Sequence, residues 1–288
     1  MFGSESGSLF ITTTQKTFWF LTAFIIVSYS SKAQFGTFIL EKRNDSMAVA
    51  EQISRIRSME SNPFEMAGFA GVEDSIIRYR LFKPEHPEGR KVLPLVLVFH
   101  GSGQIGSDNQ SQLGLLAKLF AGRDIQKKYP AYVLAPQFST RSSDYKQDEK
   151  RGVLTAIPRS CVQYVLNLID SLKTSLPIDP KRIYAVGFSM GGSTVIHALG
   201  QRPDLFAAGI SLAGIPEFKI MNQLGDIPIW LIHGMNDTEN SIQSDERFYQ
   251  ERNKKILFWK LKSADHLQVF DSRLLGEALP QWLFQFRK

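Results

Sequence analysis

Ser189 lies within "GFSMGG", where residues 187–191 match G-x-S-x-G. A serine with glycines two residues to either side fits a sharp strand-to-helix turn, because the missing side chains relieve clashes and leave Oγ exposed. The free N–H groups and positive dipole end of the following helix then point at the same spot. Glycine and serine also make simple turns. The context favours a nucleophile, since the apolar run "IYAVGF" precedes the motif and "GGSTVIHALG" resumes with helical spacing.

A serine hydroxyl needs a base, and the chain order that goes with this motif is Ser, then Asp or Glu, then His. The chain has five histidines. His86 and His100 precede the serine, His197 lies two turns into the helix after it, and His233 ends the apolar run "IPIWLIH". His266 remains, in the loop "SADHLQ" after "ILFWKLK", so it is the expected general base. Between serine and base, "IHGMNDTEN" offers Asp237, with Glu239 as the nearby substitute; Asp245 and Glu246 fall in the next helical segment. Asp237 is the expected partner of the histidine, fixing its tautomer and stabilising the imidazolium. His100-Gly101-Ser102-Gly103 follows another apolar run, and two donors for a developing oxyanion are expected, the N–H of Ser102 and the N–H of Met190. The chemistry so outlined is acyl transfer through a covalent serine intermediate.

These residues must be held by regular elements, and the patterning supplies them. "IIRYRLF" alternates, while "LPLVLVF", "AYVLAP", "IYAVGF", "AAGISLAG", "IPIWLIH" and "ILFWKLK" are near-continuous apolar strands. Between them "QLGLLAKLF", an amphipathic stretch over about 153–176, "GGSTVIHALG", a polar segment near 241–252 and a segment near 274–286 predict helices. Such alternation predicts an α/β fold, a mainly parallel twisted sheet with helices on both faces. In such sheets ligands bind at the carboxyl ends of strands, where all the candidate residues sit.

With these motifs the chain resembles the α/β-hydrolase superfamily. More narrowly it is similar to bacterial secreted esterases labelled predicted peptidases or phospholipase/carboxylesterase-like proteins. "LPLVLVFHGSGQIGSDN", "VLAPQ", "IDPKRIYAVGFSMGG", "IPIWLIHGMND" and the closing "WLF" carry that resemblance, over residues 76–288. It implies an α/β-hydrolase domain there, the same roles for Ser189, Asp237, His266, Ser102 and Met190, and a small-molecule or polysaccharide-linked carboxylic ester as substrate. Relatives usually carry an acid where this chain has Gln104, and a tryptophan where it has the polar insert "FSTRSSDYKQDEK". A serine peptidase of the same fold and a non-catalytic binding protein are the alternative readings.

Composition agrees with a globular domain: of 288 residues, 43% are hydrophobic and 22% charged, and the net charge of +6 is spread without a long basic run. No nucleic-acid partner is expected, and no cofactor or metal, since no ligand spacing such as H-E-x-x-H occurs. The single cysteine, Cys161, excludes an internal disulfide and reads as a buried thiol. Residues 1–33 read as a signal peptide, with an apolar run over 18–30 and Ser31 and Ala33 before a candidate cut at Gln34. The run is short of the ~20 residues of a spanning helix, so a secreted or periplasmic protein without a stable membrane span is expected. Residues 34–75 carry a helical pattern near 47–57 and a strand near "MAGFAG", and are otherwise unassigned.

Overall fold

The computed structural model describes residues 35–41, 46–61, 63–71, 76–85, 91–252 and 254–288. The expected signal peptide, its cut site and His86 lie outside the described residues. In chain order the elements are β1 (Gly36–Glu41), α1 (Ser46–Arg57), β2 (Phe64–Ala70), β3 (Ile76–Phe82), β4 (Leu93–Phe99), α2 (Leu115–Ala121) and α3 (Arg123–Lys128). Then come β5 (Tyr132–Gln137), β6 (Ser143–Asp148), β7 (Val153–Pro158), α4 (Cys161–Ser175), β8 (Ile178–Phe188) and α5 (Met190–Gln201). The last are β9 (Ala208–Leu212), β10 (Ile229–Gly234), α6 (Gln243–Arg252), β11 (Ile256–Lys262) and α7 (Ala278–Leu283).

Nine strands form one sheet in the order β1-β11-β10-β9-β8-β4-β5-β3-β2. Neighbours from β1 to β5 are parallel, and β3 and β2 close the far edge antiparallel. The interior strands read as unbroken apolar runs because both faces are covered. In β4, Leu95, Leu97 and Phe99 face one core while Val96 and Val98 face the other. The first core receives the apolar stripe of α4, Val162, Val165, Leu166, Ile169 and Leu172, together with Val195 and Leu199 of α5 and Phe248 of α6. The second receives Ile56 of α1, Leu116 and Phe120 of α2, Ile125 of α3 and Leu279 and Leu283 of α7. Each such side chain, fully buried, stabilises the fold by roughly 1.5–3 kcal/mol, so the sheet is packed on both faces.

Two stretches differ from the sequence expectation. The helix expected from residue 153 begins only at Cys161, and 153–158 is β7, paired antiparallel with β6 in a separate two-stranded ribbon. Val153, Thr155 and Ile157 place β-branched residues at period two, Gly152 takes φ 67° in the turn, and Ala156 donates its N–H to Pro216 O at 3.0 Å. The polar insert is thus the first strand of a ribbon. At the other end, the unassigned stretch 36–41 is β1, an edge strand parallel to β11, in the same compact unit as the rest of the sheet.

Candidate active site

Ser189 sits between β8 and α5 with φ 58° and ψ −122°, a backbone conformation costly for a residue with a side chain. It is held there by its N–H, which donates to Leu212 O at 2.8 Å, and by two glycines. A Cβ on Gly187 would overlap the Gly191 carbonyl, and one on Gly191 would overlap the carbonyls of Phe99 and His100. The glycines of the motif therefore let the turn press against the end of β4, where the H-G loop begins.

That loop is braced by side chains on both sides. Buried His100 donates from Nδ1 to Gly101 O at 2.8 Å and accepts the N–H of Phe138 at Nε2, 3.0 Å away. Burial pushes its pKa below the usual histidine value, so it stays neutral and structural. Gln104 accepts the Gly101 N–H at 3.0 Å through Oε1 and donates to Ser111 O at 3.1 Å through Nε2. The amide both accepts and donates here, which an ionised acid at this position could not do. Ser102 and Met190 each open a helical turn, so neither N–H has a carbonyl of its own turn to bond.

His266 follows β11 and is 5% exposed. Asp265 beside it accepts the N–H groups of Leu267 and Gln268 at 3.1 and 2.9 Å, which fixes the loop, and the Phe188 ring packs 4.9 Å from the imidazole. The Nδ1–H of His266 donates to Asp237 Oδ2 at 2.7 Å, which leaves Nε2 to accept from Ser189 Oγ at 2.9 Å. The other oxygen of Asp237 accepts the N–H groups of Glu239 and Asn240, each at 2.9 Å. Hydrogen bonds from His233 and His266 hold the Asp237 carboxyl far below the usual carboxylate range, against the opposing effect of burial, so it stays ionised. Glu239, the alternative acid, is exposed and comes no closer than 3.8 Å to His266, on the Nε2 side.

The structure thus brings Ser189, His266 and Asp237 into one hydrogen-bonded line, with Ser102 and Met190 beside the serine. His197 is elsewhere, fully buried and paired with Glu217 at 2.7 Å. A cleft of about 540 Å³ opens over the serine, lined by Ser102, Arg141, Asp144, Tyr145, Arg159, Glu239 and Asn240. Arg159 pairs with Asp144 at 2.5 Å, and Arg141 lies 3.6 Å from the same carboxylate and over the Tyr145 ring. Sequence patterning did not single out Arg141, Asp144, Tyr145 or Arg159 for the site; they reach the cleft only because the insert folds as a ribbon over it.

Residues 153–257 match the model of the prolyl oligopeptidase family. A bifunctional acetylxylan esterase/xylanase of Neocallimastix patriciarum is 37% identical over 86 residues, which are 30% of this chain and 13% of that one. A poly(3-hydroxybutyrate) depolymerase of Ralstonia pickettii is 30% identical over 161 residues, 51% of this chain and 30% of that one. The crystal structure of a thermostable esterase superposes with a TM-score of 0.70 and 27% identity, covering 79% of this chain and 64% of that one. The chain spans less than a third of the length of the two curated relatives. Its nine-stranded, mostly parallel sheet with helices on both faces, taken with these likenesses, gives the chain the α/β-hydrolase fold.

Proposed function

We propose that the chain is a secreted serine hydrolase that cleaves carboxylic esters through an acyl-enzyme. The observation that carries this reading is the bond from Ser189 Oγ to His266 Nε2, made while Nδ1 of the same ring is committed to Asp237. In that arrangement His266 takes the serine proton as Oγ attacks the ester carbonyl, then gives it to the departing alkoxide. The N–H groups of Ser102 and Met190 receive the oxyanion, each worth roughly 2.7–4 kcal/mol in the transition state. Water, activated by the same imidazole, releases the acid and restores the serine. Export rests on the pattern of residues 1–33.

The cleft favours a polar substrate. Two guanidinium groups, two carboxylates and a phenol surround the serine, so a long aliphatic chain would strip water from charged groups and give them no polar contact in return. A small or polysaccharide-linked ester fits this chemistry, and likeness to a protein named acetylxylan esterase/xylanase supports it. The match to a peptidase family keeps amides as a second reading, since this triad arrangement serves both. Hydrolysis of p-nitrophenyl acetate, p-nitrophenyl palmitate, acetylated xylan and peptide anilides, compared between the chain and Ser189→Ala, tests the reading. Activity on the polar esters that vanishes in the variant is expected. Equal inactivity of both proteins across the panel contradicts it.

A further inference from the structure

Behind Asp237 lies a second histidine that the ester-cleaving reaction does not use. His233 is the penultimate residue of β10 and is fully buried. Its Nδ1 stands 2.7 Å from Asp245 Oδ2, and its Nε2 stands 2.8 Å from Asn240 O and 3.3 Å from Asp237 Oδ2. Every neighbour of the two ring nitrogens is thus an oxygen, two of them carboxylate oxygens. A carbonyl can only accept, so Nε2 carries a proton. Burial pushes the Asp245 carboxyl above its ordinary pKa while the hydrogen bond and charge of His233 pull it back, and with that carboxyl ionised Nδ1 carries a second proton. With a carboxylate on each side the favoured form is the imidazolium, and these partners raise the pKa of His233 to about 9 in spite of burial.

The chain of groups therefore runs Ser189, His266, Asp237, His233, Asp245, with successive polar atoms 2.9, 2.7, 3.3 and 2.7 Å apart. We propose that His233, held as an imidazolium by Asp245, is a positioning residue that shares the Asp237 carboxylate with His266 and so keeps His266 unprotonated and ready to act as a base. Asp237 Oδ2 faces both rings, at 2.7 Å from His266 and 3.3 Å from His233. Positive charge on the far side lowers the gain from a second positive charge on the near side. Without it, Asp237 and Asp245 would together favour a resting His266 imidazolium, which cannot accept the proton of Ser189. The other charged groups nearby do not replace this one. Lys260, level with His233 on β11, is paired to Glu246 at 2.6 Å, and Glu239 is 68% exposed.

The inference rests on the ester-hydrolase reading for its use, but its test does not need turnover. Histidine-labelled chain followed by nitrogen NMR reports each ring separately. His233 is expected to show both nitrogens protonated at pH 7.5; one bare ring nitrogen there would overturn the proposal. In His233→Gln, which keeps a donor toward Asn240 O and drops the charge, the titration midpoint of His266 should rise by about one pH unit. The acid limb of kcat/KM should rise with it. A folded variant with an unmoved midpoint and limb overturns the proposal, since a merely structural histidine would change neither. Asp245→Asn keeps an acceptor for Nδ1–H and serves should the first variant not fold. It should lower the midpoint of His233 by at least one unit, and an unchanged midpoint counts against the device. Absence of ester cleavage by the wild-type chain would instead sink the hydrolase reading and leave the NMR outcomes as the judge of this one.

Discussion

The Nδ1–H of His266 donates to Oδ2 of Asp237 at 2.7 Å, and this one bond decides which ring nitrogen is left for Ser189. Because Oδ1 of Asp237 is tied to the N–H groups of Glu239 and Asn240, the carboxylate cannot rotate away. Tautomer and ring orientation are thus set by a loop that follows β10.

Asp237→Asn keeps the shape of that bond and loses its sense. The amide turns its NH2 toward Nδ1 or leaves the ring free to choose the other tautomer, so Nε2 no longer accepts from Ser189. A loss in kcat on the order of 10⁴ is expected, with KM changed little, in steady-state assays on a short p-nitrophenyl ester. A loss below tenfold would move the acid's role to Glu239.

Gly191→Ala tests the pressed turn. The new Cβ meets backbone carbonyls of Phe99 and His100, which flexible side chains cannot accommodate, so the elbow and the H-G loop must separate. A loss of about 1–3 kcal/mol in denaturant unfolding and on the order of 10²-fold in kcat is expected. Full stability and activity would show that the two loops need not touch.

The charge on His233 has a stability signature of definite sign. Its pKa is raised in the folded chain from 6.5 to about 9, so its contribution is fully present below pH 6.5 and is lost as pH rises through about 9. The urea midpoint of the wild-type chain should fall between those values, and that of His233→Gln should fall less. Parallel curves for the two proteins would contradict a buried imidazolium.

Much of this was legible in residue order because it is local. "LPLVLVF" and "ILFWKLK" are strands β4 and β11 to the residue, since central parallel strands are buried on both faces and read as apolar runs. Ser189 was legible from its glycines, and His266 from the short supply of histidines. What escaped depends on partners distant in the chain. β1 is a half-buried edge strand that pairs, among the described residues, with β11, more than two hundred residues away, and its six residues carry no turn or cap that announces it. The ribbon of β6 and β7 escaped because "VLTAIP" abuts the helix-forming "CVQYVLNLI", so apolar spacing runs on across Pro158 as if one element continued. Arg141, Asp144, Tyr145 and Arg159 followed it out of view. His233 was visible as a strand-end histidine, but its charge depends on Asp245, a turn into α6, and only the fold shows the two rings sharing Asp237.

The central claim is that Ser189 is a nucleophile made reactive by His266. Intact-mass and peptide mapping after a short exposure to a p-nitrophenyl phosphonate tests it most directly, because a tetrahedral phosphorus traps the attacking oxygen. One phosphonyl group per chain, on Ser189, is predicted for the wild-type protein, with labelling slowed on the order of 10³-fold or more in His266→Ala. A folded wild-type chain that takes up no label, or takes it up elsewhere than Ser189, would contradict the claim.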